Sequence, residues 1–384
     1  MDIKHRLMNE KPQVWKDFEM CTKDFKKLTV EKIDDKTLFA YKAKYLDVDY
    51  AEPYMIYIIF VQLLGFEHTY KPMEKVLYEI PFQYKGYYCV FAMEKFGLKF
   101  FINSKDEASL ELIFSKIKRA TKIVERLLKP IVTESIDNGE VTIENQSGTL
   151  RRRYLYFRSR TEKIIFEYNS GELEESISMA ERINRKVELK ELIIFNTQAM
   201  LEAYFSFQEH LLILLLPFAN INFKEKKITH LINSSWTQKF NEVFSPAEKP
   251  TLMKHFEALR NLKELRNKYA HGGFEKSEGS ILPQVEGVGA IPIEMPSNRE
   301  ELFSFTLKKD IDFNESCEII DDFENYLYAS NWSRAIKILE YGIDMRFDKE
   351  YILDLKLATE SNENLEVFLE KEAYLYERQA NMDW

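Results

Sequence analysis

Apolar residues recur every three or four positions along most of this 384-residue chain, and that spacing restricts most of the fold to packed amphipathic helices. The clearest example is the stretch TLMKHFEALRNLKELRNKYAHGG at residues 251–273. Its apolar stripe consists of Leu252, Phe256, Leu259, Leu262, Leu265 and Tyr269. Two glycines follow the stripe, and glycine accepts the left-handed conformation found after a helix C-terminus. The stretch is therefore predicted to be a helix that ends at Gly272 and Gly273.

One segment departs from helical spacing. The stretches KVLYEIPFQY, GYYCVFAME and FGLKFFIN are short, rich in aromatic and β-branched residues, and separated by turns at Gly86 and Gly97. They predict a three-stranded antiparallel meander. A long amphipathic helix should follow, starting at Ser104 and ending just before Pro130, and should pack on this sheet.

Helical spacing resumes after a polar stretch at 133–148. It predicts a helix near 150–168, a very long helix near 172–216 that Pro217 closes, and a further helical region near 224–244. A glycine- and proline-rich loop or hairpin should follow the stripe helix, and the tail from about residue 310 should be acidic and helical. We therefore expect a mainly α protein, with an N-terminal α+β domain at 1–175 that contains a short antiparallel sheet and a helical domain at 176–384.

Composition excludes several classes of protein. Cysteines are few and scattered, at Cys21, Cys89 and Cys317, which predicts neither a disulfide framework nor a cysteine zinc site. No histidine pair has the spacing of a helical metal site, and no glycine-rich phosphate loop is present, so we expect no metal and no cofactor. The apolar runs at 54–66 and 211–219 are too short to cross a bilayer. A cytoplasmic protein without a membrane segment is expected, and its net charge of -9 leaves its partner open.

A basic cluster, RRRYLYFRSR, lies at 151–160. Its arginines Arg151, Arg152, Arg153 and Arg158 alternate with aromatic residues, a pattern that can hold phosphates and stack on bases. These four are our candidate RNA-binding residues. Two other interpretations stay open: the arginines form an ordinary solvated helix face, or they form a basic docking helix of a structural interaction protein.

The end of the stripe helix carries Arg266, Asn267 and His271. Asn267 and His271 are four residues apart and share a face, so the amide can orient the imidazole. Arg266 flanks the buried stripe, an unfavourable place for a charge without a partner or an anionic ligand. An alternative is that His271 only caps the helix, where a cation favours the helix dipole.

The motif LRNKYAHG ends an amphipathic helix in a domain whose first long helix contains MLEAYFSFQEH, and this combination resembles the HEPN superfamily. Members are helical bundles whose ribonuclease branch carries the motif R-x4-6-H, commonly with a polar residue after the arginine. Arg266, Asn267 and His271 match that motif, with four residues between the arginine and the histidine. The resemblance covers roughly residues 180–300 and no part of the α+β region.

The resemblance implies a metal-independent endoribonuclease that acts as a homodimer, with two motif helices facing each other across one composite site. His271 would be the acid or base, Arg266 would stabilise charge on the phosphoryl oxygens, and cleavage would leave a 2′,3′-cyclic phosphate. Many such proteins are toxins or antiphage defence effectors, so the N-terminal domain would bind a regulatory ligand or partner. The alternative is a non-catalytic HEPN-like module for dimerisation or ligand binding.

Overall fold

The computed structural model describes most of the chain. The described residues are 3–28, 39–41, 53–69, 76–95, 97–103, 107–170, 178–219, 221, 223, 227–270, 280–281, 283–291, 293–294 and 311–381. They fall into two compact units, the first made of Met1–Ser135 with Leu369–Trp384 and the second of Ile136–Phe368. The protein is mainly α, and its small antiparallel sheet lies in the N-terminal part, as the sequence predicts.

The first unit begins with two helices and is centred on a sheet. Its elements up to the sheet's last strand are α1 Ile3–Glu10, α2 Pro12–Thr22, β1 Phe25–Lys27, β2 Phe39–Tyr41, α3 Pro53–Tyr57, a π-helix Ile58–Leu63, β3 Val76–Tyr84, β4 Tyr87–Glu94 and β5 Gly97–Ile102. Within the described residues the sheet is antiparallel, in the order β1-β3-β4-β5-β2. The predicted meander is thus confirmed as the central three strands. The two edge strands are too short to show an alternating pattern.

The β3–β4 turn explains one glycine of the sequence pattern. Lys85 and Gly86 have φ values of 47° and 93°, and the type I′ turn of a two-residue hairpin has positive φ at both positions. Strand residues on one face of the sheet form an aromatic core, where Phe82 and Phe91 stack with ring centroids 5.5 Å apart. The apolar run at 54–66 contributes Ile59 and Phe60 to this core, which confirms that the run is buried.

The long helix after the sheet is α4, Glu107–Asp137. The prediction that it ends before Pro130 was wrong, because Pro130 lies inside the helix. Proline cannot donate to the carbonyl four residues earlier, that of Arg126. The Lys11 ammonium donates to this carbonyl at 3.2 Å, so a distant side chain supplies the missing donor.

The second unit is built from helices. Its elements as far as the motif helix are β6 Thr142–Ile143, α5 Ser147–Ser170, α6 Met179–Leu215, α7 Ile228–Asn233, α8 Trp236–Phe244 and α9 Pro250–Ala270. The helical region predicted near 224–244 contains two helices, and a capping box of Ser235 and Gln238 starts the second, α8. A matching box of Ser178 and Glu181 starts α6.

Short hairpins and the tail helices complete the chain. They are β7 Ser280–Ile281, β8 Gln284–Val285, β9 Gly289–Ala290, β10 Ile293–Glu294, α10 Phe313–Ala329, α11 Ser333–Glu340, β11 Met345–Arg346, α12 Lys349–Ala358 and α13 Asn362–Asn381. The hairpins confirm the expectation for the glycine-rich segment, and the helices confirm it for the tail. β11 pairs with β6, which ties the tail to the start of the second unit.

The division into units does not coincide with the boundary at residues 175 and 176 expected from the sequence. α5 lies along α6: the rings of Tyr154 and Tyr204 are 5.1 Å apart, and Arg185 is 2.6 Å from Glu167. α5 therefore shares the core of the second unit. A change of composition between two helices does not reveal whether they pack on each other.

One described helix has the length and composition of a membrane span. It is α6 with its 3-10 extension, Met179–Phe218, and 67% of its most apolar window is buried inside the protein. Burial of this kind is typical of a core helix, and it agrees with the expectation that the run at 211–219 belongs to the core.

Candidate functional site

The motif helix α9 is held in place by its apolar stripe. Leu252, Phe256, Leu259 and Leu262 are buried, which confirms that part of the predicted face. Phe256 stacks on Trp236 of α8 with ring centroids 5.9 Å apart and planes 3° apart. This aromatic contact packs α9 against α8.

The Arg266 side chain extends from the apolar stripe of α9 toward α6. Its guanidinium carbon is 5.6 Å from the ring centroid of Phe205, a cation–π distance. Its Nε is buried and has no hydrogen-bond partner among the described residues. The expectation from the sequence was that a charge here needs a partner or an anionic ligand, and within the described part of the chain no carboxylate pairs with it.

Two lysines lie in the same neighbourhood. Lys263 precedes Arg266 by almost one turn of α9, and its Nζ is 3.2 Å from Oε1 of Glu209 on α6. The Lys239 Nζ, on α8, is 4.0 Å from the other oxygen of Glu209. Lys239 is only 5% exposed, which is rare for a lysine. Helices α8 and α9 thus each bring a lysine to one carboxylate of α6, and Arg266 lies close enough to Lys263 to affect its pKa.

The cluster carries an excess of positive charge. Lys263 and Lys239 share the single carboxylate of Glu209, and Arg266 has no carboxylate partner, so two of the three positive charges stay uncompensated among the described residues. Burial lowers the pKa of the Lys263 ammonium, Glu209 opposes this effect, and the two neighbouring cations add to it. An anion at this place would relieve both the repulsion and the unpaired Nε of Arg266. We call Arg266, Lys263, Lys239 and Glu209 the cationic cluster.

Of the other two residues of the motif, only Asn267 is among the described residues. Asn267 lies on the last described turn of α9 and is partly buried. His271 lies outside the described residues, as do the two glycines after it. The predicted pairing of Asn267 with His271 therefore stays a prediction.

Sequence reasoning missed both lysines. Lys263 stands three residues before Arg266, so helical spacing alone could have placed the two side chains on neighbouring positions. Lys239 belongs to another helix, and nothing in its local sequence distinguishes it from a surface lysine.

The arginines of α5 have a different environment. Arg158 donates two hydrogen bonds to the carboxylate of Asp321 on α10, at 2.5 and 2.6 Å, and a third to the hydroxyl of Tyr154 at 2.8 Å. The bonds to Asp321 hold the pKa of the Arg158 guanidinium above its usual range. Arg151 is 3.0 Å from Glu324, also on α10, and 3.6 Å from Glu340 on α11.

The four candidate RNA-binding residues therefore divide into two pairs. Arg151 and Arg158 face acidic residues of α10 and join α5 to that helix. Arg152 and Arg153 are exposed, and Arg152 donates to Thr149 of its own helix at 3.0 Å. Only the exposed pair presents its charge outward.

No protein-family model, curated protein or solved structure matches this chain. The functional assignment rests on the residues of the site. Within the described residues, no group of three histidine, cysteine, aspartate or glutamate side chains is placed to hold a metal ion.

Proposed function

We propose that the protein is a metal-independent endoribonuclease of HEPN type, acting in the cytoplasm as a toxin or antiphage defence effector. The observation that carries the proposal is the cationic cluster, in which Arg266 of the motif has a buried, unpartnered Nε and lies among cations that exceed their carboxylate. Phosphodiesters supply the anion that such a cluster lacks, and a guanidinium suits their oxygens because it donates in a planar fork.

The chemistry assigns one role to each motif residue. A neutral His271 takes the proton from a ribose 2′-hydroxyl while the 2′-oxygen forms a bond to phosphorus. The bond from phosphorus to the 5′-oxygen breaks, and an imidazolium protonates that oxygen. Arg266 stabilises the negative charge that builds on the phosphoryl oxygens, and Asn267 orients the imidazole. The products are a 2′,3′-cyclic phosphate and a 5′-hydroxyl.

The proposed enzyme is a homodimer. Residues five apart on a helix lie about 140° apart around it and about 7.5 Å apart along it, so Arg266 and His271 of one copy are not a side-by-side pair. A facing copy would supply both an acid and a base to one site. Light scattering is expected to give a dimer, and an active monomer would contradict this assembly.

Arg152 and Arg153 are assigned to RNA binding in this proposal, because their charges point outward. Arg151 and Arg158 are assigned to joining helices. The N-terminal unit is proposed to bind a regulatory ligand or partner, by analogy with HEPN effectors in which a second domain controls the nuclease.

An RNA cleavage assay in EDTA tests the proposal. We expect Arg266→Ala to lose about 100-fold or more in rate, because removing one transition-state donor usually costs that much. Arg260→Ala is the matched control. Arg260 lies on the same helix and its Nε is also buried without a hydrogen-bond partner among the described residues, but its Nη2 pairs with Glu257 at 2.5 Å. It should cleave like the wild type.

Three outcomes decide between the candidate functions. Equal loss in both variants would make Arg266 a structural residue. Activity that disappears with EDTA would exclude the metal-independent mechanism. A wild-type protein that dimerises but cleaves no RNA would favour the alternative, a non-catalytic HEPN-like module.

A further inference from the structure

A cavity of about 310 Å³ lies in the second unit, away from the residues assigned to catalysis. Four helices form its wall: α5, α6, α10 and α11. Most of the wall is apolar, with Leu155, Phe207, Leu211, Leu327, Ile336 and Leu339. Volumes of this size are typical of small-molecule sites, in which a few polar groups in an apolar wall fix the orientation of the ligand.

Two polar residues of the wall each have a buried side-chain oxygen that accepts no hydrogen bond from a described residue. The Gln208 side chain, 1% exposed, donates from Nε2 to the hydroxyl of Tyr204 at 2.9 Å, while its Oε1 is buried without a hydrogen-bond partner in the described chain. Oε1 of Glu324 is also buried and unpartnered there, because Arg151 contacts the other oxygen. A buried acceptor without a donor destabilises the fold, so two in one wall point to a ligand that donates.

The charges of the wall balance. Arg151 and Arg152 contribute two positive charges, and Glu324 and Glu340 contribute two negative ones. Glu340 also accepts a hydrogen bond from Tyr328. Because these charges cancel, the wall has no net charge that would attract an ion, and a neutral ligand fits it best.

We propose that this cavity binds a neutral amino-substituted heterocycle, whose N–H groups donate to Gln208 and Glu324 while its ring packs on the leucines of the wall. The proposal does not rest on the nuclease function, since the cavity shares no residue with the cationic cluster. Arg151 and Arg152, two of the four candidate RNA-binding residues, both line its wall.

Calorimetric titration of the full chain with adenine tests the proposal, with 6-methylpurine as the matched probe in which a methyl group replaces the amino group. We expect adenine to bind about tenfold more tightly, because the methyl group cannot donate to the buried acceptors. Equal binding of the two compounds, or binding of neither, would overturn the proposal.

Two variants locate the binding in the cavity. Leu155, on its rim and 42% exposed, can be changed to tryptophan to fill the entrance, and Leu353→Trp is the control on α12, at a residue that is 54% exposed and not part of the wall. Only Leu155→Trp should abolish adenine binding. If both variants bind as the wild type does, adenine occupies another site.

A double variant tests the acceptor itself. Tyr204→Phe with Gln208→Met removes both partners of one buried hydrogen bond, and such paired replacements are nearly neutral for stability. The melting temperature, measured first, should therefore stay close to the wild-type value. The preference for adenine over 6-methylpurine should then fall to near unity. A preserved preference in the folded double variant would show that Gln208 takes no part.

Discussion

The arginines of α5 and the cations around α9 look alike in sequence but differ in how far neighbouring carboxylates neutralise them. Arg158 has a bidentate bond to Asp321, and Arg151 has two carboxylates within 3.6 Å. In the cationic cluster two lysines share Glu209, and Arg266 has no carboxylate partner among the described residues. A dense run of arginines can thus join helices of the protein, whereas cations from two different helices can collect where the described carboxylates are too few to neutralise them. The carboxylates that decide this lie on other helices, at least 30 residues away along the chain.

The sharpest test of this comparison is RNA affinity. Removing charge from the cationic cluster with Lys239→Met and Lys263→Met should weaken RNA binding by about tenfold or more and lower the salt slope by about 0.7 per lost phosphate contact. The matched variant, Arg151→Met with Arg158→Met, should leave the salt slope unchanged, since its charges are already paired. If the salt slope fell equally in both variants, the two regions would not differ in RNA binding and the comparison would be wrong. Fluorescence anisotropy at several salt concentrations measures both quantities.

For stability, in contrast to RNA affinity, we expect the paired arginines of α5 to matter. Arg158→Ala leaves the Asp321 carboxylate and the Tyr154 hydroxyl without their partner, so it should lower the free energy of unfolding by about 1–3 kcal/mol. Arg153→Ala, at an exposed position on the same helix, should change it by less than about 0.5 kcal/mol. Urea unfolding followed by circular dichroism checks both. Similar values for the two variants would return Arg158 to the solvated-face interpretation.

The lowered pKa of Lys263 gives a pH dependence with a defined sign. RNA phosphates favour the protonated ammonium, so affinity should fall as pH rises through the pKa of Lys263, and it should do so below the pH expected for an ordinary lysine. Lys263→Arg keeps the charge at alkaline pH and should shift that fall upward. Lys254→Arg, on an exposed turn of the same helix, should not shift it. A wild-type profile identical to that of Lys263→Arg would exclude Lys263 from RNA binding.

The smallest effect belongs to Asn267. An amide that only orients its i+4 neighbour contributes about 0.2–0.5 kcal/mol, so Asn267→Ala should slow RNA cleavage only about twofold. Single-turnover kinetics can resolve this difference. A loss as large as that of Arg266→Ala would instead mean that Asn267 contacts the substrate.

Local patterns predicted the elements of this fold well. The meander at 76–102, the long α6 and the stripe of α9 each follow from spacing and turn residues within one segment. The wrong prediction concerns a helix end, where a side chain far away in sequence contacts the backbone. Pro130 lies inside α4, where Lys11, more than 100 residues away along the chain, donates to the Arg126 carbonyl that the proline leaves free.

The candidate site was predictable to a lesser extent. Arg266 could be chosen because a charge beside a buried stripe is conspicuous in sequence. Lys239 could not, because its burial depends on packing among helices and not on its neighbours in the chain. For the same reason the sequence could not separate Arg158 from Arg153: the acid that pairs with Arg158 lies on α10.

The central claim is that His271 and Arg266 cleave RNA through 2′-hydroxyl attack, and analysis of the RNA ends tests it most directly. In EDTA, the wild type is expected to release 2′,3′-cyclic phosphate and 5′-hydroxyl ends, and His271→Ala is expected to lose about 100-fold or more of that activity. Products with 3′-hydroxyl ends, or wild-type activity in the His271→Ala protein, would contradict the mechanism.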